Sequence, residues 1–283
     1  MKKIFLFLVV LNLFSNAFSQ VRSGVLKGMT AVPFACMLDK DDFEFEFYDS
    51  IKPLCQDLLS GNIQAAVLPS LSAEGVVEKS GGSLLVSYVI STTNFKLVGR
   101  RTNTTFSVLP GKKIGIAGHG IAEKLFLFLL KKNGIPIEKG DAGVDIVYYG
   151  TEAEAVNDYL NNKISYVVTS EPATTSLCRR GQKNYIAMDL QEQYRNFYPE
   201  RRIPLSVLVM RTDFLESDYA EVSRFTDAVE DSVRQAIIHP AKVSSIIQEK
   251  NLGISQNTSR EAIKYSNFCF KSVTGDFHLI VNP

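Results

Sequence analysis

A pattern that spans 24 residues recurs 101 positions later in the chain, and it constrains the fold more than any other feature of this sequence. Residues 47–70 read FYDSIKPLCQDLLSGNIQAAVLPS, and they align without gaps on residues 148–171, YYGTEAEAVNDYLNNKISYVVTSE. In each copy a strand pattern is followed by helical spacing and then by a short apolar run, which is typical of a strand–helix–strand unit. The five identical positions could also reflect two generic units that meet the same physical demands. On either interpretation the unit occurs twice, which predicts two α/β lobes.

The rest of the chain extends this alternation of strands and helices. FEFEFY at 43–48 alternates phenylalanine with glutamate, the period of a half-buried strand. Residues 112–134 read as a strand, a turn with two glycines and a helix that ends in lysines. Thr151 and Glu154 have the spacing of a capping box at the start of a helix. From Asp213 onward the pattern is mostly helical, with one long amphipathic helix that stops before Pro240.

Charge and the first residues indicate an exported protein that does not bind nucleic acid. The 283 residues carry a net charge of +1, which supplies no overall field to attract a polyanion. Residues 1–19 begin with two lysines, continue with an apolar core at 4–14 and end with the small residues Ala17 and Ser19. Because a core of about eleven residues is too short to span a bilayer, we interpret 1–19 as a signal peptide cleaved before Gln20. A single membrane anchor is the alternative.

Cysteines, histidines and short motifs give little support for catalysis. The four cysteines (Cys36, Cys55, Cys178 and Cys269) and the three histidines are widely spaced, so no metal site is predicted. We expect free thiols. A disulfide between Cys36 and Cys55 is the alternative, because an oxidising compartment permits it. The G-x-S-x-G, H-E-x-x-H and Walker sequences are missing, and GIAGHGIAE lacks the third glycine of a dinucleotide loop. The sequence therefore favours binding over catalysis.

Four predicted strands end in small or hydroxyl residues and run directly into a helix. These turns are 28–30, 68–70, 118–120 and 170–171. In open α/β sheets, ligands bind outside the carboxyl ends of the strands, where helix starts offer unpaired N–H groups and partial positive charge. Two turns per lobe predict a polar cleft for a small anionic or zwitterionic molecule, although each turn alone could be an ordinary cap. His119 would either donate to the ligand or be solvated, and Glu171 would either select a cationic or donor group or only cap its helix.

Five segments carry a resemblance to a known family: LKGMTAVPFACML, LLSGNIQAAVLPS, LPGKKIGIAGHGIAEKLFLFLLKKNGI, ISYVVTSEPATTSL and IPLSVLVMRTDFLE. In this order they resemble the type II periplasmic solute-binding proteins of ABC importers, the class that includes nitrate, sulfonate, taurine and thiamine-pyrimidine-precursor binders. The resemblance implies a two-lobe α/β fold in which each lobe is a mixed sheet flanked by helices. It also implies crossover strands near 96–102 and 203–209 and closure of the lobes on a ligand in the cleft. Met29 departs from the family, whose members typically have proline in this turn.

The resemblance also implies boundaries, contacts and partners. The first lobe would comprise residues 20–98 and a mostly helical return at 207–283, and the second lobe residues 99–206. The expected function is capture of a small polar solute and delivery to a membrane permease with its ATPase, by a monomer without cofactor, metal or catalytic residue. The alternatives are an enzyme of pyrimidine-precursor biosynthesis, favoured if Cys178 or Cys36 lies beside His119, and a subunit of a sensory receptor. The implied ligand contacts are Gly28, Met29, Thr30, Pro69, Ser70, Thr92, Gly118, His119, Ser170 and Glu171.

Overall fold

The computed structural model describes residues 20–138, 140–181 and 183–273. The predicted signal peptide at 1–19 lies outside these residues. The strands are β1 (Val21–Leu26), β2 (Phe43–Tyr48), β3 (Ala65–Pro69), β4 (Leu84–Thr92), β5 (Lys96–Gly99), β6 (Lys113–Ala117), β7 (Asp145–Tyr149), β8 (Tyr166–Thr169), β9 (Tyr185–Asp189), β10 (Pro204–Arg211) and β11 (Phe268–Ser272). The helices are α1 (Ile51–Ser60), α2 (Ser70–Lys79), α3 (Ile121–Lys132), α4 (Glu152–Leu160), α5 (Ala173–Arg179), α6 (Leu190–Arg195), α7 (Thr212–Leu215), α8 (Tyr219–Ile238), α9 (Pro240–Glu249) and α10 (Gln256–Tyr265). The described residues also contain two 3-10 helices, η1 (Met29–Met37) and η2 (Phe106–Val108).

The first sheet has the strand order β11-β4-β10-β3-β1-β2. Strands β1 to β4 run in one direction, while β10 and β11 run in the opposite direction. Helices η1, α8 and α9 cover one face with an apolar core that includes Phe34 and Phe225. Helices α1 and α2 cover the other face with a smaller core that includes Leu54 and Val76. Burial of both faces explains why β3 is apolar along its whole length rather than alternating.

The second sheet has the order β7-β6-β8-β5-β9, with only β5 antiparallel to its neighbours. Helices α3 and α6 pack on one face, where Phe128 and Tyr194 are buried. Helices α4 and α5 pack on the other face through Tyr159 and Leu177. The two mixed sheets flanked by helices confirm the predicted α/β fold class.

The repeated stretch forms equivalent units in the two sheets. In both, a short strand, a helix and a second strand surround a central strand, giving the orders β2-β1-β3 and β7-β6-β8. Tyr48 Oη donates to Asp57 Oδ2 at 2.7 Å, and Tyr149 Oη donates to Asp158 Oδ2 at 3.1 Å. These two tyrosines and two aspartates stand 101 positions apart, so the matched residues of the sequence perform the same structural task.

Most element boundaries follow from sequence signals, and three details differ. The capping box of Thr151 and Glu154 is present, and the long helix α8 stops one residue before the His239–Pro240 pair. In the first turn, however, Gly28 takes the N-cap position at φ 112°, whereas Thr30 Oγ1 donates back to Leu26 O at 3.0 Å. Leu54, Leu58 and Leu59 have the spacing of an apolar stripe on α1, but Leu59 is exposed. The edge strand β11 was not predicted; its register with β4 contains an irregularity, and its apolar run is short.

A short buried segment connects the two sheets. Residues 93–95 leave β4 and enter β5, and the exposed fractions of Thr93 and Asn94 are 0% and 3%. The return connection follows β9, passes through α6 and reaches β10, where Ile203 O accepts from Thr93 N at 2.9 Å. The lobe boundaries predicted at 98/99 and 206/207 stay predictions. In the structure, β5 pairs with strands of the second sheet and β10 pairs with strands of the first sheet.

Candidate functional site

The strand directions bring the carboxyl ends of both sheets to the connecting segment. Strands β1, β3 and β4 end at the same edge of the first sheet, because β10 pairs Ser206 with Pro69 and Pro204 with Thr92. In the second sheet, Lys96 at the start of β5 pairs with Thr169 and Asp189, the last residues of β8 and β9. Since only residues 93–95 separate Thr92 from Lys96, these two edges lie within roughly 14 Å of each other at that point. All four predicted turns are on these adjoining edges.

The turns of the first sheet are built by backbone requirements and burial. Gly28 adopts φ 112°, a conformation that favours glycine, and its N–H donates to Leu252 O at 2.9 Å. Met29 is half-buried and packs against the core of the first sheet. Pro69 ends β3, and Ser70 opens α2 with its side chain fully buried. The Ser70 Oγ atom has no hydrogen-bond partner among the described residues, which is a costly arrangement for a buried hydroxyl.

Leu71 extends this first edge toward the second sheet. It follows Ser70 in α2, yet it packs against the apolar core of the second sheet. Thr92 is half-buried at the end of β4, and its N–H donates to Asn267 O at 3.2 Å. Pro69, Ser70 and Thr92 therefore lie together where the two sheets meet.

The turns of the second sheet use charged side chains. Gly118 N donates to Tyr149 O at 3.0 Å, and the backbone N–H of His119 donates to the Glu123 carboxylate. His119 is exposed and adopts φ 63°, so its ring is not part of the core. Ser170 donates to Glu152 twice, from its N–H at 3.0 Å and from its Oγ at 2.9 Å. Ser170 is thus positioned by a carboxylate that the sequence did not single out.

Glu171 connects this second edge to the segment that joins the sheets. Its N–H donates to Asn94 Oδ1 at 3.3 Å, and its Oε2 accepts from Thr175 N at 3.2 Å. The exposed fraction of Glu171 is 7%, and burial raises the pKa of its carboxyl, opposed by the bonds from Thr175 and by the charge of Lys96. Burial also raises the pKa of Glu152, which lies near Glu171. Both carboxyls are therefore held where ionisation is unfavourable.

A cavity of about 380 Å³ lies beside the connecting segment. Thr92 and residues of β9, α6 and β11 line it, so both sheets contribute. Gln191 of α6 is one of these residues; its exposed fraction is 5%, and its Oε1 accepts from Thr93 Oγ1. The Nε2 atom of Gln191 has no partner among the described residues. Sequence reasoning missed this region, although MDLQ at 188–191 follows the same pattern of a strand end and a helix cap, with Asp189 as the N-cap.

Burial disfavours the thiolate form at all four cysteines. The cysteines are free, and burial raises the pKa of each thiol, which makes the thiolate less available. Cys36 packs beside α8, where its N–H donates to Ser232 Oγ at 3.1 Å. No group of three or more His, Cys, Asp or Glu side chains suited to a metal occurs within residues 20–138, 140–181 and 183–273. Over the same ranges, none of the helices has the length and apolarity to cross a membrane.

Solved structures with the same fold include an ABC transporter and periplasmic binding proteins. An ABC transporter from Parabacteroides distasonis superposes with a TM-score of 0.70 at 18% identity, covering 89% of this chain and 86% of that one. The periplasmic aliphatic sulphonate binding protein SsuA from Escherichia coli gives 0.68 at 13% identity, over 90% and 81% of the chains. The periplasmic nitrate-binding protein NrtA from Synechocystis PCC 6803 gives 0.55 at 12% identity, over 84% and 68%. No curated protein sequence matches the chain.

Two mixed sheets joined at their carboxyl edges define the type II periplasmic binding protein fold, which this chain shares with SsuA. A family described as NMT1/THI5 like matches residues 84–243, more than half of the sequence. The chain belongs to the NMT1/THI5-like family. The structural neighbours reported above are transporter proteins rather than enzymes.

Proposed function

We propose that this protein is the exported substrate-binding component of an ABC importer, which holds a small polar solute between its two lobes. The observation that carries the proposal is the placement of the turns. Residues that follow β1, β3, β6 and β8 occupy two adjoining edges, and ligands of open α/β sheets bind at such edges. The same fold in binding proteins for sulphonates and nitrate supports a binding role, while the solute of this chain is not inferred from theirs.

The ten predicted residues remain the proposed contacts, and Ser70 is the strongest of them. Its Oγ is fully buried and has no partner among the described residues, so a solute that reaches it as the lobes open and then bonds to it would remove an energetic cost. Glu171 would favour a solute with a hydrogen-bond donor, because its buried carboxyl has little competition from water. Turns of both lobes would then contact one molecule, and closure about residues 93–95 would enclose it.

The proposed location and partners follow from this role. Cleavage near Ser19 and Gln20 would release the protein to the periplasm, where a membrane permease with its ATPase would accept the solute. We infer a protein without catalytic activity and without a cofactor. A reactive Cys36 or Cys178 beside His119 would favour the enzyme alternative, and the raised pKa values of both thiols argue against that reactivity.

Native mass spectrometry of the exported protein as purified tests the proposal. We expect a discrete additional mass from a retained solute, and we expect Ser70→Ala to reduce its occupancy at least fivefold. The same substitution should stabilise the solute-free protein by about 1 kcal/mol, since it removes an unpaired buried hydroxyl. A stability gain combined with a binding loss is expected of a ligand contact and not of a packing position.

Ser23→Ala is the matched control for this experiment. Ser23 also has a fully buried and unpartnered hydroxyl, but it lies in the middle of β1, about 10 Å from the carboxyl end of that strand. We expect the same gain in stability without a change in solute occupancy. If the purified protein carries no solute and its melting temperature does not respond to any compound in a broad metabolite panel, the proposed function is wrong.

A further inference from the structure

A basic cavity of about 590 Å³ lies on the second lobe, away from the proposed solute site. Five cationic side chains line it: Arg100, Arg101, Lys112, Lys113 and Lys163. No aspartate or glutamate is among the lining residues in the described part of the chain. Because the whole protein has a net charge of only +1, this concentration of one sign is a local feature.

The strand directions separate the basic cavity from the turns that would hold the solute. Lys113 is the first residue of β6, whereas Gly118 follows the carboxyl end of the same strand. Ser165, which also lines the cavity, precedes β8, whereas Ser170 follows it. Five residues of strand correspond to about 16 Å. The basic cavity is thus at the opposite edge of the sheet from the solute turns.

Three of the five cations keep their charge available for a ligand. Arg101, Lys112 and Lys113 are exposed and form no ion pair with any residue that the structure describes. Lys163 Nζ forms an ion pair with Asp158 Oδ1 at 2.9 Å. Asp158 does not line the cavity, but it offsets the positive charge of Lys163. Asp145 is the strand partner of Lys113 in β7, where the register places the two residues side by side. Neither of these two acids is among the residues that line the cavity.

Arg100 is fixed at one wall of the cavity. Its Nη2 donates to Asn162 Oδ1 at 3.1 Å, and its Nη1 donates to Asn184 Oδ1. The guanidinium carbon lies 4.5 Å from the centre of the Tyr159 ring. A cation held in this way loses little conformational entropy when an anion binds nearby. Threonine hydroxyls from residues 102–105 add uncharged donors to the lining.

We propose that the basic cavity binds a phosphate-bearing anion. A phosphate group carries nearly two negative charges and several acceptor oxygens, which suits a cavity with several cations better than a single carboxylate does. A soluble phosphate compound and the headgroup of an anionic phospholipid both present phosphate oxygens, the headgroup phosphodiester with a single negative charge. Binding of a phospholipid headgroup would hold the lobe against a membrane surface. Binding of a soluble phosphate compound would make the cavity an independent small-molecule site.

Two probes distinguish these sources. Isothermal titration with inorganic pyrophosphate reports soluble binding, and flotation with vesicles of equal parts phosphatidylglycerol and phosphatidylcholine reports headgroup binding. We expect at least one probe to bind, with an affinity that falls steeply as salt is raised. In the triple variant Arg101→Gln/Lys112→Gln/Lys113→Gln that affinity should drop at least tenfold.

A second triple variant controls for net charge. Lys52→Gln/Lys131→Gln/Lys242→Gln removes the same charge from exposed lysines outside the cavity, and we expect its affinity to stay within twofold of the unsubstituted protein. The proposal is wrong if neither probe binds or if both triple variants lose affinity equally. Solute occupancy by native mass spectrometry should be unchanged in both variants, so failure here and failure of the proposed transport role are distinguishable.

Discussion

At the scale of single residues, three buried polar groups without full compensation lie where the two sheets meet. Ser70, Gln191 and Glu171 are each at least nine-tenths buried. The first two carry an atom without a partner in the described structure, and the third carries a carboxyl whose pKa is raised by burial. The sequence identified Ser70 and Glu171 because both follow a strand end. It missed Gln191 because the burial of this side chain depends on Thr93, almost one hundred positions earlier in the chain.

Glu171 provides a prediction about pH. Burial raises the folded-state pKa of this carboxyl above the unfolded value of about 4.3, so its stabilising contribution is complete below that pH and is lost as pH rises through the folded pKa. Replacing Glu171 with glutamine removes this loss and keeps an acceptor for Thr175 N. We therefore expect Glu171→Gln to be more stable than the unsubstituted protein at about pH 7.5 and equally stable near pH 4.

Chemical denaturation at these two pH values measures the effect. Glu78→Gln, on the exposed side of α2, is the control and should give the same stability difference at both values. A Glu171→Gln protein that is less stable at neutral pH would mean that the ionised carboxyl is a net stabilising group.

At the scale of elements, the sequence predicted the repeat, most helices and the strands next to them. It failed where an element depends on distant partners. β11 forms only because β4 offers it a free edge, and Lys96 enters the second sheet because it pairs with Thr169 and Asp189. Local periodicity contains no information about either pairing. The strands of the two repeated units, by contrast, pair over shorter separations, as between Ser23 and Ala65 and between Ile114 and Tyr166.

The central strand of each unit contains a glycine that the repeat requires. A Cβ added at Gly115 of β6 would overlap Ile164 Cδ1 and approach Tyr149 Cε2 to 3.0 Å. A Cβ at Gly24 of β1 would meet the equivalent Ile63 Cδ1. We expect Gly115→Ala to destabilise the protein by roughly 1–3 kcal/mol through overpacking.

Shortening the opposing side chain should relieve this overlap. Ile164→Val removes Cδ1 and alone should cost about 1 kcal/mol. In the double variant Gly115→Ala/Ile164→Val, we expect a smaller loss than the sum of the two single losses, as measured by urea denaturation. The pair Gly24→Ala and Ile63→Val should behave alike in the first lobe. Additive losses in both lobes would show that the glycines are not required for this packing.

At the scale of the whole molecule, two sheets meet at their carboxyl ends through a segment of three residues. This arrangement follows from strand directions that the sequence could suggest only through its resemblance to a family, because direction depends on how distant strands pair. The site could be predicted as a set of turns, since strand ends and caps are local signals. The three-dimensional structure was needed to show which turns are adjacent. It was also needed to show that Glu152 and Gln191 belong to the same region.

Hydrogen–deuterium exchange with and without the solute found by native mass spectrometry tests most directly whether one molecule is held by both halves of the protein. We expect the solute to slow exchange in peptides that cover 27–31 and 69–72 and, at the same concentration, in peptides that cover 118–121 and 169–172. Slower exchange on one sheet edge alone, or on neither, would contradict a shared site between the lobes.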